Sequence, residues 1–400
     1  MNGLKLNDNA ATLQEEGAFG VLERALAFQS SGHDVINLGI GQPDLRPPAH
    51  VVDAGAKAAK DGPHGYTSTV GITPLREAVA ADVSRRTGSS VDAEQVVIVP
   101  GGKVTIFLAA TLFGGPGAEI LYPDPGFPPY REAIRLSGAR SVPYPIRESH
   151  GFAFSAEEVL SLIGPDTTLI ILNSPANPTG GIVPRAELDK LAAGLADHPH
   201  VAVLTDEIYS QLTFDGEHAS FYSYPELRDR TILLDGWSKT FAMTGWRLGF
   251  GVWPTALVPY VRKIISATHS CVNVAAQMAG LAAITGPRDE VDAYRKVLEE
   301  RRDALVAALN DIPGVSCRVP GGAFYVFPNV TGTGWPSDIL ADHLLERAHV
   351  AVVPGESFGA NGEGFLRLSY ATELDRLMEA ASRMAEYLES YPALGRAGNF

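Results

Sequence analysis

Several short apolar runs in this chain are each followed at once by residues capable of chemistry. After Gln95–Pro100 come Gly101, Gly102 and Lys103, then the apolar run Val104–Phe113. Two glycines opening a helix expose backbone N–H groups to an anion, and the helix dipole favours negative charge there. A tight strand-to-helix turn would use the same glycines without any ligand. The loop is not a nucleotide P-loop, which would need glycine at Val97 and Ser or Thr at Val104. After Thr168–Leu172 comes Asn173-Ser-Pro-Ala-Asn177-Pro-Thr-Gly-Gly181, denser in turn-forming residues than a turn requires. After Val201–Thr205 come Asp206, Glu207 and Tyr209. A carboxylate following a fully apolar strand is desolvated and needs a cationic or N–H partner, although aspartate is equally at home as a helix N-cap.

After Thr231–Gly236 come Trp237, Ser238, Lys239 and Thr240. A lysine beside an apolar strand is a candidate amine nucleophile, because desolvation lowers its pKa. A snorkelling lysine is the ordinary alternative. Arg247 follows within Met243–Gly249, and Arg367 alternates with apolar residues in Phe365–Ala371. The second arginine is either an edge-strand charge or a fork for a carboxylate. Phe127, after the strand-like Glu119–Pro123, adds an aromatic plate. An anion cradle, a buried acid, a tyrosine, an activated lysine and two arginines suit a phosphorylated, protonated heteroaromatic ring that forms an imine with lysine.

These residues need a scaffold. Strands are expected at Val96–Val99, Glu119–Tyr122, Ser141–Pro145, Thr168–Leu172, Val201–Thr205, Thr231–Leu234 and Leu248–Val252. Several are continuously apolar, as strands covered on both faces are. Helices are expected between them at Arg131–Ser137, at Ala156–Leu162 behind a Ser155/Glu158 capping box, and at Arg185–Ala196. This alternation predicts an α/β fold around a mostly parallel, doubly wound, seven-stranded sheet, with ligands beyond the carboxyl ends of the strands. The ends read differently. A long helix at Glu290–Leu309 precedes Gly321–Val330, a helix near Ile339–Ala348, the strand-like His349–Pro354 and Phe365–Ala371, and a last helix from Leu374. That is a smaller α+β domain, joined by Val21–Phe28. The expected division is 1–48 as an N-terminal arm and part of the small domain, 49–285 as a large cofactor-binding domain, and 286–400 as a small C-terminal domain.

Composition narrows the function. Four hundred residues suggest two or three domains. Lys plus Arg is 32 against 46 Asp plus Glu, a net charge of −14. Such a chain is a poor binder of nucleic acid, so positive charge for an anion must be local. The two cysteines, Cys271 and Cys317, could pair once but show no disulfide framework, and a reducing compartment is the easier reading. The N-terminus lacks a signal-peptide pattern, and the longest apolar stretch, Ile106–Phe113, is too short to span a bilayer. A cytoplasmic protein without membrane partner or metal is expected.

The motifs resemble the fold-type-I pyridoxal-phosphate aminotransferases, in class I/II of the aspartate aminotransferase superfamily. The resemblance runs from Gly41-Gln-Pro-Asp44 through Asn177-Pro-Thr-Gly180, Asp206-Glu-Ile-Tyr209 and Ser238–Gly249 to Arg367–Ala371. It implies a ping-pong transfer of an α-amino group to a 2-oxo acid, within amino acid metabolism. By resemblance, Lys239 forms the Schiff base with pyridoxal 5'-phosphate and shuttles the proton, while Asp206 pairs with the ring N–H. Tyr209 and Asn177 reach the phenolic oxygen, and Phe127 stacks on the ring. Gly101, Gly102, Lys103 and Arg247 hold the phosphate. Arg367, Asn177 and Gly41 take the substrate carboxylate. Tyr66 reaches the site of a neighbouring subunit in a homodimer. Many relatives carry serine where Gly236 stands here, so one hydroxyl contact to the phosphate is missing. No second basic residue for a dicarboxylate side chain is identifiable, and Phe19 and Trp237 hint at apolar surface near the pocket. The same scaffold could instead run β-elimination, decarboxylation or oxidative deamination. A ligand-sensing transcription regulator would need an N-terminal DNA-binding domain, for which too few residues precede Gly41. A nicotinamide dehydrogenase would need a G-x-G-x-x-G after a strand.

Overall fold

The computed structural model describes residues 7–392. A short strand β1 (Ile36–Asn37) precedes the seven that build the main sheet. These are β2 (Val96–Val99), β3 (Glu119–Asp124), β4 (Arg140–Pro145), β5 (Thr167–Asn173), β6 (Ala202–Asp206), β7 (Thr231–Gly236) and β8 (Gly249–Val252). Their order is β2-β8-β7-β6-β5-β3-β4. Neighbours from β7 to β4 pair in parallel, and β8 alone runs against both β2 and β7. The sheet is the mostly parallel seven-stranded one expected, each strand shifted from its expected bounds by at most two residues.

Burial on both faces explains the continuously apolar strands. Val97, Val99, Ile120, Leu169, Ile171, Leu204 and Leu234 face one way, into a cluster with Ile106 of the helix Lys103–Phe113 and Ile134 of Pro129–Ser137. The alternate residues Leu121, Ile170, Leu172 and Val203 face the other way, onto Val159 and Leu188, while Val96, Ile98 and Leu233 meet Val79 and Ala279. Four helices of this layer and its surroundings escaped the sequence reading: Ala49–Asp61, Thr73–Thr87, Val258–Thr268 and Val274–Thr285. The last buries Ala276, Gln277, Ala279, Gly280 and Ala283 and carries no clean amphipathic stripe.

The chain ends meet. β1 pairs in parallel with β10 (Val350–Ala351), and β9 (Tyr325–Val326), β11 (Val353–Pro354) and β12 (Leu366–Ser369) form an antiparallel sheet in the order β11-β12-β9. The run 349–354, expected as one strand, is two, because it changes partner from β1 to β12 within a few residues. The helices Asp289–Asn310 and Leu374–Ser390 pack here through Leu298, Leu305, Leu377 and Met384. Cys271 and Cys317 are both free.

A buried ion pair anchors the end of β7, from which the chain runs into Lys239. Arg86, on the helix Thr73–Thr87, donates to Asp235 at 2.8 Å, to Asp82 at 2.8 Å and to Ser210 at 3.1 Å. Burial pushes the Asp235 carboxyl up to about 6, with Arg86 opposing. Removing one partner of such a pair leaves a buried charge without compensation. Arg86→Met should therefore cost about 3–5 kcal/mol of stability at neutral pH, read by urea denaturation. The loss should shrink on acidification. The native Asp235 then holds its proton at a pH where the unfolded aspartate has lost it, so stability falls as pH rises.

Candidate active site

The carboxyl ends of β2, β3, β5, β6 and β7 open onto one cavity of about 550 Å3. Open α/β sheets bind ligands at this edge because strand ends and helix N-termini converge there. Asn177, Asp206, Tyr209, Lys239, Arg247, Arg367, Phe127, Gly102, Lys103 and Gly41 all line it.

At the anion end, Gly101 adopts φ +93, a left-handed conformation that favours glycine, and a side chain on it would collide with the Arg247 guanidinium. The amides of Val104 and Thr105 bond back to the carbonyls of Gly101 and Gly102. The amides of Gly102 and Lys103 are left without a backbone acceptor, as at any helix N-terminus. Arg247 itself is held at φ +51, a strained position for a non-glycine residue, and donates to the Thr244 carbonyl at 2.9 Å. Gly249 lies directly beneath, where a Cβ would strike the Gly102 amide. Gly236, the departure from the serine of many relatives, packs against the Gly249 backbone, so a side chain there would force a shift.

Asp206 ends β6 in the middle of the cavity floor. Burial drives its carboxyl up to about 7, against a 2.7 Å hydrogen bond donated by Tyr130 and another from the Ile208 amide. A cationic N–H brought into contact would reverse that shift. Phe127 stands edge-on to Tyr130, with ring centroids 5.6 Å apart. Asn173, at the end of β5, donates to the Asp206 carbonyl at 3.0 Å and accepts from the Asn177 amide at 2.9 Å, so it ties the two site loops together.

Lys239 donates to the Gly41 carbonyl at 2.6 Å. Desolvation first, and then the Arg367 charge, lower its pKa to about 7. Arg367, only 1% exposed, donates to Asn177 Oδ1 at 3.1 Å and to the Gly39 carbonyl, and lies between the rings of Tyr325 and Phe358. Its Nε is buried without a partner. No carboxylate among the described residues pairs with this guanidinium, which is held by neutral oxygens alone. Tyr209 shares a 2.8 Å hydrogen bond with Tyr325.

Tyr66, expected at the site of a neighbouring subunit, is 90% exposed and does not line this chain's own cavity. Trp237 is buried in the core, donating to the Gly280 carbonyl at 3.0 Å, so it supplies no pocket surface. The Gly41 carbonyl accepts from Lys239. Tyr130, Tyr325 and Glu16, for which the sequence gives no site role, also line the cavity. Each comes from an element with no motif of its own. The proline-rich Gly126–Pro129 before Tyr130 was the only local signal.

Free amides at a helix N-terminus, a buried acid with a raised pKa and a lysine with a lowered one thus lie in one cavity. Residues 33–384 match the family described as aminotransferase class I and II. The aspartate aminotransferase of Pyrococcus horikoshii is 36% identical over 394 residues, covering 94% of this chain and 99% of that protein. The arginine–pyruvate transaminase of Pseudomonas aeruginosa is 36% identical over 368 residues, covering 92% and 93%. The crystal structure of the aspartate aminotransferase from Rhizobium meliloti superposes with a TM-score of 0.92 at 32% identity, covering 97% and 99%. The chain belongs to the class I and II aminotransferases and is a transaminase. These relatives are named for transamination, and nothing in them favours a lyase, decarboxylase or deaminase.

The lowered pKa of Lys239 has a direct consequence. Labelling of Lys239 by trinitrobenzenesulfonate in the cofactor-free protein, followed by mass spectrometry, should rise with pH to a midpoint near 7, because the neutral amine is the reactive form. A midpoint near 10, shared with surface lysines, would contradict this.

Proposed function

We propose that the chain holds pyridoxal 5'-phosphate and uses it to transfer α-amino groups from an amino acid to a 2-oxo acid. The carrying observation is that one cavity combines Lys239, brought down to about 7, Asp206, brought up to about 7, and a buried Arg367 held by neutral oxygens and no carboxylate. The residues fit the cofactor from end to end. The amides of Gly102 and Lys103, the Gly101 turn and Arg247 would take its phosphate, Phe127 its ring face and Asp206 its ring nitrogen. Tyr209 and Asn177 would take its phenolic oxygen. When bound, the cofactor supplies an electron sink for the bonds at the substrate's α-carbon.

The chain's own residues then have distinct tasks. Arg367 orients the substrate through its α-carboxylate, and a planar fork does so with a fixed approach angle. Asn177 holds Arg367 in place through their hydrogen bond. Asp206, backed by Tyr130, keeps a proton on the ring nitrogen. Lys239, with a neutral fraction near pH 7, would both capture the cofactor and carry a proton to and from the α-carbon as general base and acid. Tyr66, exposed and outside its own chain's cavity, is proposed to complete the site of a second copy in a two-fold homodimer. The division into 49–285 and 286–400, with 1–48 joining the latter, is supported by the pairing of β1 with β10. No helix among the described residues is long and apolar enough to cross a membrane, and we place the enzyme in the cytoplasm.

Cofactor-loaded protein should lose its visible absorbance on addition of a donor amino acid and regain it with a 2-oxo acid. Lys239→Ala should cut turnover by about 10³-fold or more while cofactor still binds reversibly. Loss of absorbance without recovery, with release of ammonia or carbon dioxide, would overturn the transfer reading.

A further inference from the structure

The mouth of the cavity holds an ion pair that none of these tasks uses. Lys103 Nζ donates to Glu16 Oε2 at 2.8 Å, and both side chains line the cavity. Glu16 stands at the N-cap of the helix Gly17–Ser30, where an acidic side chain ordinarily accepts from the first-turn amides. It makes no such bond and reaches Lys103 instead. Its position is built in. A side chain on Gly17 would collide with Ser357, and Ala18 is buried in a cluster with Val353 and Phe358. Just upstream, the Gln14 amide donates to Glu132, and Gln14 accepts from Arg131 at 2.6 Å.

The other cations of the cavity are engaged. Arg367 serves the α-carboxylate, Arg247 the phosphate, and Lys239 the chemistry. Among the described lining residues, only the Lys103 side chain remains to meet a carboxylate on a substrate side chain, and Glu16 neutralises it. The neighbouring lining at this end is apolar, with Ala18, Phe19 and Ile40. Lys103 Nζ lies 5.1 Å from the Phe127 ring centroid and 5.9 Å from that of Phe19.

We propose that Glu16 is a specificity-determining residue that, by holding Lys103, turns the side-chain subsite away from carboxylates and toward uncharged, apolar amino acids. This rests on the aminotransferase reading above. An acidic donor would have to break the Glu16–Lys103 pair or lie beside Glu16 as a second negative charge. A cationic donor would have to displace Lys103 in turn. An apolar donor leaves the pair intact and covers Phe19 and Ile40.

The test uses cofactor-loaded enzyme, with single-turnover kcat/KM for leucine, phenylalanine, aspartate, glutamate and arginine. Calorimetric binding of succinate and 3-phenylpropanoate gives a second readout. The wild type should favour leucine and phenylalanine over the three charged donors by roughly tenfold or more. Glu16→Gln should move the ratio of acidic to apolar kcat/KM upward by about tenfold, tighten succinate alone, and lose both gains when combined with Lys103→Met. Equal use of charged and apolar donors by the wild type would overturn the proposal. So would an unmoved ratio in Glu16→Gln, or a gain that survives Lys103→Met. If no amino acid reacts, the aminotransferase reading fails, while the two binding measurements still test the role of Glu16.

Discussion

Desolvation at the carboxyl ends of the buried strands is the constraint on which the rest of the site depends. β5, β6 and β7 are covered on both faces, so the polar residues that follow them have little water to turn to. Asp206 responds by taking up a proton near pH 7, and Lys239 by giving one up. Each shift carries a free-energy cost that a complementary ligand would relieve, and the two costs lie in one cavity. In the same buried setting the Arg367 guanidinium is held by neutral oxygens of Asn177 and Gly39 and not by a carboxylate.

Positive potential is thereby concentrated in a chain of net charge −14. Lys239, Arg247, Arg367 and Lys103 line the cavity against Asp206 and Glu16. The excess acid lies outside it. Focusing of this kind attracts small anions to a cleft without making the surface a binder of polyanions. The pairing of Lys103 with Glu16 then matters more than the global charge, because it decides what potential a substrate side chain meets.

Glycine supplies the remaining precision. Gly101, Gly236 and Gly249 are stacked so closely that a side chain on any of them would strike Arg247 or neighbouring backbone. The absent serine at 236 is thus compatible with a tighter packing of β7 against β8.

The strands were legible in the sequence because buried parallel strands are written as unbroken β-branched runs, and the site lysine, acid and arginines because they follow those runs or interrupt one. The helix Val274–Thr285 was not legible, since a helix buried on most sides has no stripe to read. Nor was Tyr130, whose hydroxyl reaches Asp206 from 76 residues away in sequence. By itself the sequence determined the sheet, its ligand-binding edge and the residues available there, because local pattern and local spacing carry that information. Only the tertiary structure decided that Trp237 turns into the core and that Glu16 closes on Lys103. Those outcomes depend on packing between segments far apart in the chain, such as Gly17 against Ser357, and no local pattern records it.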